Sequence, residues 1–473
     1  MNYTYIALSL YTFSSFFILA HAQPIDTGDG LRNNTASKPL KNKANQYSRW
    51  SGIGLLTTPE GTCTSTLIDT RDTSVKTPTP AYLITSGHCV THEIGTAKLN
   101  QVFDAKVTFN YFHDVEESHK TYKIKTANWT SMVGTDLAII ELEQPLSTLI
   151  QNGISPLKLA LATPLGSQDV LNVGAPGTFS EKGLRLSACT QEVSRTLSGT
   201  PPAFPGGMIS QCEDMTDGSS GSPMLDRRTN QIVSIVSENN YSYSPSFLSE
   251  CFVKGIFTNN QKNCALQPVD IAVEFQSLFR TNVRSEWNAA NQETLPTWNY
   301  KFTIAAPYYR FKTTRDASNC QDPNHYNQAS SSTNASIDTL IGPAARMHVL
   351  CIIGVTSIRQ ELTSALLKNA FTHAVHLAEP APSPVLTPQE EQTLSMTWDN
   401  AYPEYTSHFF YAGPAETTQC GDYRDARYKK AAAVETLHLA SPIKICSYAS
   451  NDSDLQPSAT RVDIVAPPVS WAP

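Results

Sequence analysis

Charge is scarce in this chain. Of its 473 residues only 16% are Asp, Glu, Lys or Arg, and the formal net charge is −7. No large basic patch stands out from that background, so nucleic acid is not an expected partner. None of the ten cysteines lies in a Cys-x-x-Cys pair, which removes the commonest zinc-site pattern; no metal and no other cofactor is expected. After residue 22 no stretch reaches the ~18 apolar residues that a membrane-spanning helix needs, so no stable membrane anchor is expected.

What the chain does contain points to export. Ile6–Ala20 is largely apolar and Ala20-His21-Ala22 is a small-x-small cleavage site, so residues 1–22 read as a signal peptide. A secreted, extracellular or periplasmic location fits an even number of cysteines. Spacing favours neighbours as partners: Cys63–Cys89, Cys189–Cys212, Cys251–Cys264, Cys320–Cys351 and Cys420–Cys446. Low charge with abundant Thr, Ser, Asn, Pro and Tyr suits strands and turns, and the length leaves room for two or three domains.

The most informative stretch is Asp214-Met215-Thr216-Asp217-Gly218-Ser219-Ser220-Gly221-Ser222-Pro223. Glycines around a serine permit a tight turn and let a substrate carbonyl approach the main chain. Upstream, Ile84-Thr85-Ser86-Gly87-His88-Cys89-Val90 sets a histidine at the end of an apolar run. Asp136 heads a second one, Leu137-Ala138-Ile139-Ile140. Together Ser220, His88 and Asp136 supply a nucleophile, a base and an orienting carboxylate. The order is wrong for an α/β-hydrolase, whose Gly-x-Ser-x-Gly elbow would also need glycine at Ser222.

On these motifs the chain resembles the chymotrypsin/trypsin-like serine peptidases over about residues 47–285. The resemblance implies a mostly β fold, a double β-barrel closed by a C-terminal helix, with His88, Asp136 and Ser220 in the cleft. It implies an oxyanion hole from the N–H groups of Gly218 and Ser220, and protein or peptide substrates. Asp214, six before Ser220, matches the pocket-floor acid of trypsin-like members, and Ser237 lies on the strand lining the same pocket. That suggests a preference for Arg or Lys, although Glu213 and Asp217 stand close by. The chain departs from the family at Ser219, where most animal members have aspartate. It also lacks an activation site of the Arg/Lys-Ile-Val-Gly-Gly type.

In chain order, residues 23–46 are polar and aperiodic and read as a mobile leader or propeptide, with order beginning near Trp50. First-barrel strands are expected up to Leu137–Leu142, including Val102–Phe112. Those of the second include Leu184–Val193, Pro223–Asp226 and Ile232–Glu238, with Phe252–Thr258 last. The apolar positions Ile271, Phe275 and Leu278 predict a helix over Val269–Arg280. Beyond it lies an internal repeat: Trp298 precedes Cys320, and Trp398 precedes Cys420, by 22 residues in each case. Two small disulfide-bonded β-sandwich-like modules are expected, 290–382 and 390–473, joined by Pro380–Pro384, with a helix over Ser357–Thr372. They could bind substrate, a cell surface or a glycan, the last through Tyr308-Tyr309-Arg310-Phe311 and His408-Phe409-Phe410-Tyr411. The competing function is a catalytically silent, adhesin-like protein.

Overall fold

The computed structural model describes residues 26–163, 166–194, 204–238, 240–261, 263–287, 293–379, 381–390, 392–398, 405–450 and 457–467. The expected signal peptide lies outside them, as does Pro380 of the expected linker.

Alternating apolar residues build two closed barrels. In the first, Ile53–Thr58, Gly61–Leu67, Pro80–Thr85, Asp136–Pro145, Lys120–Met132 and Lys106–Phe109 pair in that spatial order, and the last returns to the first. The strand Asp136–Pro145 is buried on both faces. Leu137 and Ile139 enter the hydrophobic cluster that both barrels share, and Ile140 and Leu142 enter the first barrel's own core. The second barrel runs Gln168–Gly174, Arg185–Val193, Gly207–Ser210, Tyr241–Tyr243, Ile232–Val236 and Pro223–Asp226, again closing on its first strand. The fold is mostly β and has the expected double-barrel architecture.

Several local expectations give way. No strand spans Val102–Phe112; Thr96–Gln101 and Lys106–Phe109 flank a connection in which Val102 is fully exposed. Phe252–Thr258 is a small hairpin of Phe252–Val253 and Ile256–Phe257. The closing helix is reduced to one turn, Phe275–Leu278, because Val269–Val273 is a strand. Three β-branched residues alternate there, and the segment finds hydrogen-bonding partners on both sides. Val269 pairs with Ala97 and Ile271 with Ile304. Phe275, on the expected apolar stripe, is 74% exposed, so nothing rewards a longer helix. Likewise only Ser364–Leu367 is helical within Ser357–Thr372, and Phe371 begins a strand.

The strand Val269–Val273 joins the first C-terminal unit to the barrel. Its outer edge pairs with Tyr300–Ile304, which pairs in turn with Ser336–Ile337. One apolar cluster contains Ala97, Val133 and Ile271 together with Trp298, Tyr300, Phe302 and Phe371. Each C-terminal unit contains three adjacent antiparallel strands, within a five-stranded sheet in the first and a four-stranded one in the second, and the middle of the three carries the second cysteine. In the first, Arg346–Val355 lies between Tyr308–Thr314 and Phe371–Leu377. In the second, Ile443–Ser450 lies between Ser407–Pro414 and Arg461–Val465. Tyr309, Phe410 and Tyr411 are buried and serve as core, whereas Tyr308, Phe311 and Phe409 of the same two stretches are half-buried. All ten cysteines are bonded, each to its neighbour in sequence. Loops of this length contribute roughly 3 kcal/mol each in the chain-entropy account.

The segment expected to be a mobile leader is packed. Leu40 is fully buried, Lys38–Pro39 pairs with Leu186 and Arg185, and the Asn34 N–H donates to Ala188 O. Asn42 and Lys43 N–H groups donate to the Asp114 carboxylate of the first barrel. The reason is that a polar, aperiodic chain needs no sheet of its own when neighbours satisfy its backbone groups. At its start Asp26 forms a two-pronged pair with Arg227 (2.7 and 2.9 Å). The Arg227 guanidinium lowers the Asp26 carboxyl to about 2 against partial burial, helped by the Gly28 and Gly30 N–H groups. A depressed carboxyl adds stability above its unfolded value, and that contribution is lost as pH falls through about 2. Arg227→Gln should therefore release residues 27–34 at pH 3, a value at which the wild type still holds them; hydrogen exchange at those amides reads the difference.

Candidate active site

The turn that presents Ser220 is possible only with glycine at two places. Gly218 has φ +90° and Gly221 φ +84°. A Cβ at Gly221 would lie 2.0 Å from Thr64 O, and one at Gly218 would lie 2.8 Å from Ala175 O. Main-chain bonds fix the segment between the barrels: Thr64 N–H to Ser220 O (2.8 Å), Gly221 N–H to Val236 O (2.8 Å) and Gly177 N–H to Asp217 O (2.7 Å). The Ser219 N–H donates to Thr216 O (2.8 Å). By contrast, the N–H groups of Gly218 and Ser220 donate to none of the described residues. Two free main-chain donors flanking the serine are what an oxyanion would bind.

His88 sits on the one-turn helix Gly87–Cys89, and the Cys63–Cys89 bond ties that turn to the strand Gly61–Leu67. Asp136 begins its strand and is 2% exposed. Its carboxylate accepts from the His88 ring Nδ1 (2.7 Å), the His88 N–H (2.8 Å) and the Ser237 hydroxyl. Burial pushes the Asp136 carboxyl up, but the His88 imidazole and these donors outweigh it and hold the group below its ordinary range. For His88, burial depresses the imidazole, while the Asp136 charge and hydrogen bond, and the more distant Glu238, bring it above its ordinary value.

Ser220 joins His88 and Asp136 around one cavity of about 360 Å³. Its Oγ donates to Ser237 O at 3.0 Å. Ser237 thus touches both Asp136 and Ser220, and it also lines the cavity, where the substrate contact was expected. The cavity is further walled by Ile94, Met132, Phe204, Tyr241 and Tyr243, with Glu238 at its edge. Phe204 and Tyr243 meet edge to face, their centroids 5.5 Å apart. Sequence reading missed these wall residues, since they come from distant strands and connections and no local pattern marks them. Asp214 is not among the lining residues. It has φ +63°, and its carboxylate accepts the Ser37 N–H at 2.7 Å. Cys63, His88 and Cys89 cluster closely enough to suggest a metal site, but the two sulfurs are bonded to each other and offer no thiolate.

A raised imidazole pKa makes the charged ring a stabilising element below the ordinary value of 6.5, and this contribution fades as pH rises through the folded value. An NMR titration of the ring should place His88 above 6.5. Asp136→Asn should bring the midpoint down, and Glu238→Gln should lower it by less.

Residues 63–235 match the family model of the trypsin-like peptidase domain. Among solved structures, the thermostable serine protease AL20 from an extremophilic microorganism is 19% identical and covers 46% of this chain and 96% of its own, with a TM-score of 0.32. Human heparin binding protein is 12% identical, covering 46% of this chain and 93% of its own, with a TM-score of 0.32. A Glu endopeptidase in complex with MPD is 17% identical, covering 46% of this chain and 97% of its own, at 0.31. No curated protein matches the chain. The likeness to the chymotrypsin/trypsin-like serine peptidases therefore holds for the barrel-forming part of this chain, which carries a trypsin-like peptidase domain over residues 63–235.

Proposed function

We propose that the chain is an exported serine endopeptidase working through an acyl-enzyme. Ser220 Oγ attacks the scissile carbonyl, His88 takes its proton and returns it to the leaving amine, and Asp136 holds the imidazole in the required tautomer. The N–H groups of Gly218 and Ser220 receive the developing oxyanion. The observation that carries this reading is the convergence of the His88–Asp136 pair and Ser220 on one cavity, in a turn whose Gly218 and Ser220 N–H groups have no partner among the described residues. The mechanism requires one rearrangement, rotation of the Ser220 hydroxyl from Ser237 O towards His88.

An Arg/Lys preference read from Asp214 loses its anchor, because that carboxylate is held by Ser37 and does not line the cavity. The walls favour an apolar or aromatic substrate side chain, and Glu238 at the edge favours a cationic residue beside it. A peptide library incubated with the secreted protein should be cleaved, and Ser220→Ala should lower kcat by about 10⁴-fold or more. Glu238→Gln should erase selection for the cation and keep that for the apolar side chain. Equal turnover by wild type and Ser220→Ala would sink the peptidase reading.

A further inference from the structure

The segment before the barrels reaches the loop that carries the oxyanion donors. Ser37 is the point of contact, and each of its polar groups is engaged. Arg185 donates to the Ser37 hydroxyl and to its carbonyl, both at 2.8 Å, while the Ser37 N–H donates to Asp214 at 2.7 Å. Arg185 is itself fixed over the Phe179 ring at 3.9 Å. Asp214 lies four residues before Gly218, at the root of the loop. Further along, the loop is tied by Thr178 to Thr216 through their hydroxyls (2.7 Å) and by Gly177 N–H to Asp217 O. Without the Ser37 bond, the described contacts give the Asp214 carboxylate no other partner.

We propose that Asp214 is a positioning residue for the oxyanion donors, and that residues 26–46 remain on the working enzyme as the clasp whose Ser37 N–H holds it. This rests on the peptidase reading above. The clasp itself is anchored on both barrels, by Asp26–Arg227 and Lys38–Pro39 on the second and by Asp114 on the first. It thereby sets the loop against a fixed frame without using a free amino terminus. The chain lacks an aspartate before Ser220 that could receive one, since Ser219 stands there and donates its N–H to Thr216 O.

The left-handed φ of Asp214 decides which variants are informative. Alanine would be strained there, whereas asparagine tolerates the conformation and keeps an acceptor, and glycine tolerates it and has none. In full-length secreted protein, Asp214→Gly should lower kcat about tenfold with little change in KM or in side-chain preference, and Asp214→Asn should recover most of the loss. Ser37→Pro, which deletes the N–H, should act like Asp214→Gly, and the double variant should be no worse than either single one. Hydrogen exchange at residues 215–221 should quicken in Asp214→Gly and Ser37→Pro, and this readout does not depend on peptidase activity. Altered side-chain preference at unchanged kcat would overturn the proposal in favour of a pocket acid. Unchanged exchange in both variants would overturn it outright. Absence of Ser220-dependent cleavage with quickened exchange would instead overturn the peptidase reading and keep the clasp.

Discussion

A carboxylate taken almost wholly out of water must be met by donors, and this site is arranged around meeting that demand at Asp136. An ionised carboxyl in such a place would otherwise cost several kcal/mol. Two donors come from His88, one from its backbone and one from its ring, and a third comes from Ser237. Satisfying the acid therefore fixes the imidazole in position and tautomer, and the ring lines the cavity. The Cys63–Cys89 bond and the turn Gly87–Cys89 hold the backbone half of the same arrangement.

The Ser220 side of the cavity follows a different rule. Its two useful groups are N–H donors left without partners, so the loop cannot be ordered by using them. Order is supplied around them, by Thr64 of the first barrel, by the stretch 175–178, and by Ser37 of the clasp. With the Val236 carbonyl, which holds Gly221, four separate parts of the chain thus secure a segment of fewer than ten residues.

How much of this was legible in the sequence depended on how local the cause was. His88, Asp136 and Ser220 announce themselves because each sits in a short motif whose residues make its own turn or strand. Pro223–Asp226 was readable to the residue, since a short apolar run directly after the glycine turn marks a buried strand, and three of its four residues are buried. The helix expected over Val269–Arg280 failed because the periodicity of Ile271, Phe275 and Leu278 is weaker information than two waiting strand edges, one of them thirty residues further on. The clasp was invisible for a similar reason. Polar residues such as Asn34, Ser37 and Asn42 carry no pattern, and their order is conferred by partners in other elements. The Ser37 contact of Asp214 was equally hidden, because a count from Ser220 says nothing about which neighbour will claim a carboxylate.

The strand Val269–Val273 has a consequence for how the protein is made. Emerging from the ribosome, it can complete the edge beside Thr96–Gln101 at once, yet its own outer edge stays open until Tyr300–Ile304 has followed. An open edge rich in Val and Ile is a template for pairing with another chain. The first C-terminal unit is then part of the barrels' folding problem: a chain stopped near residue 285 would have its barrels built and a sticky seam exposed.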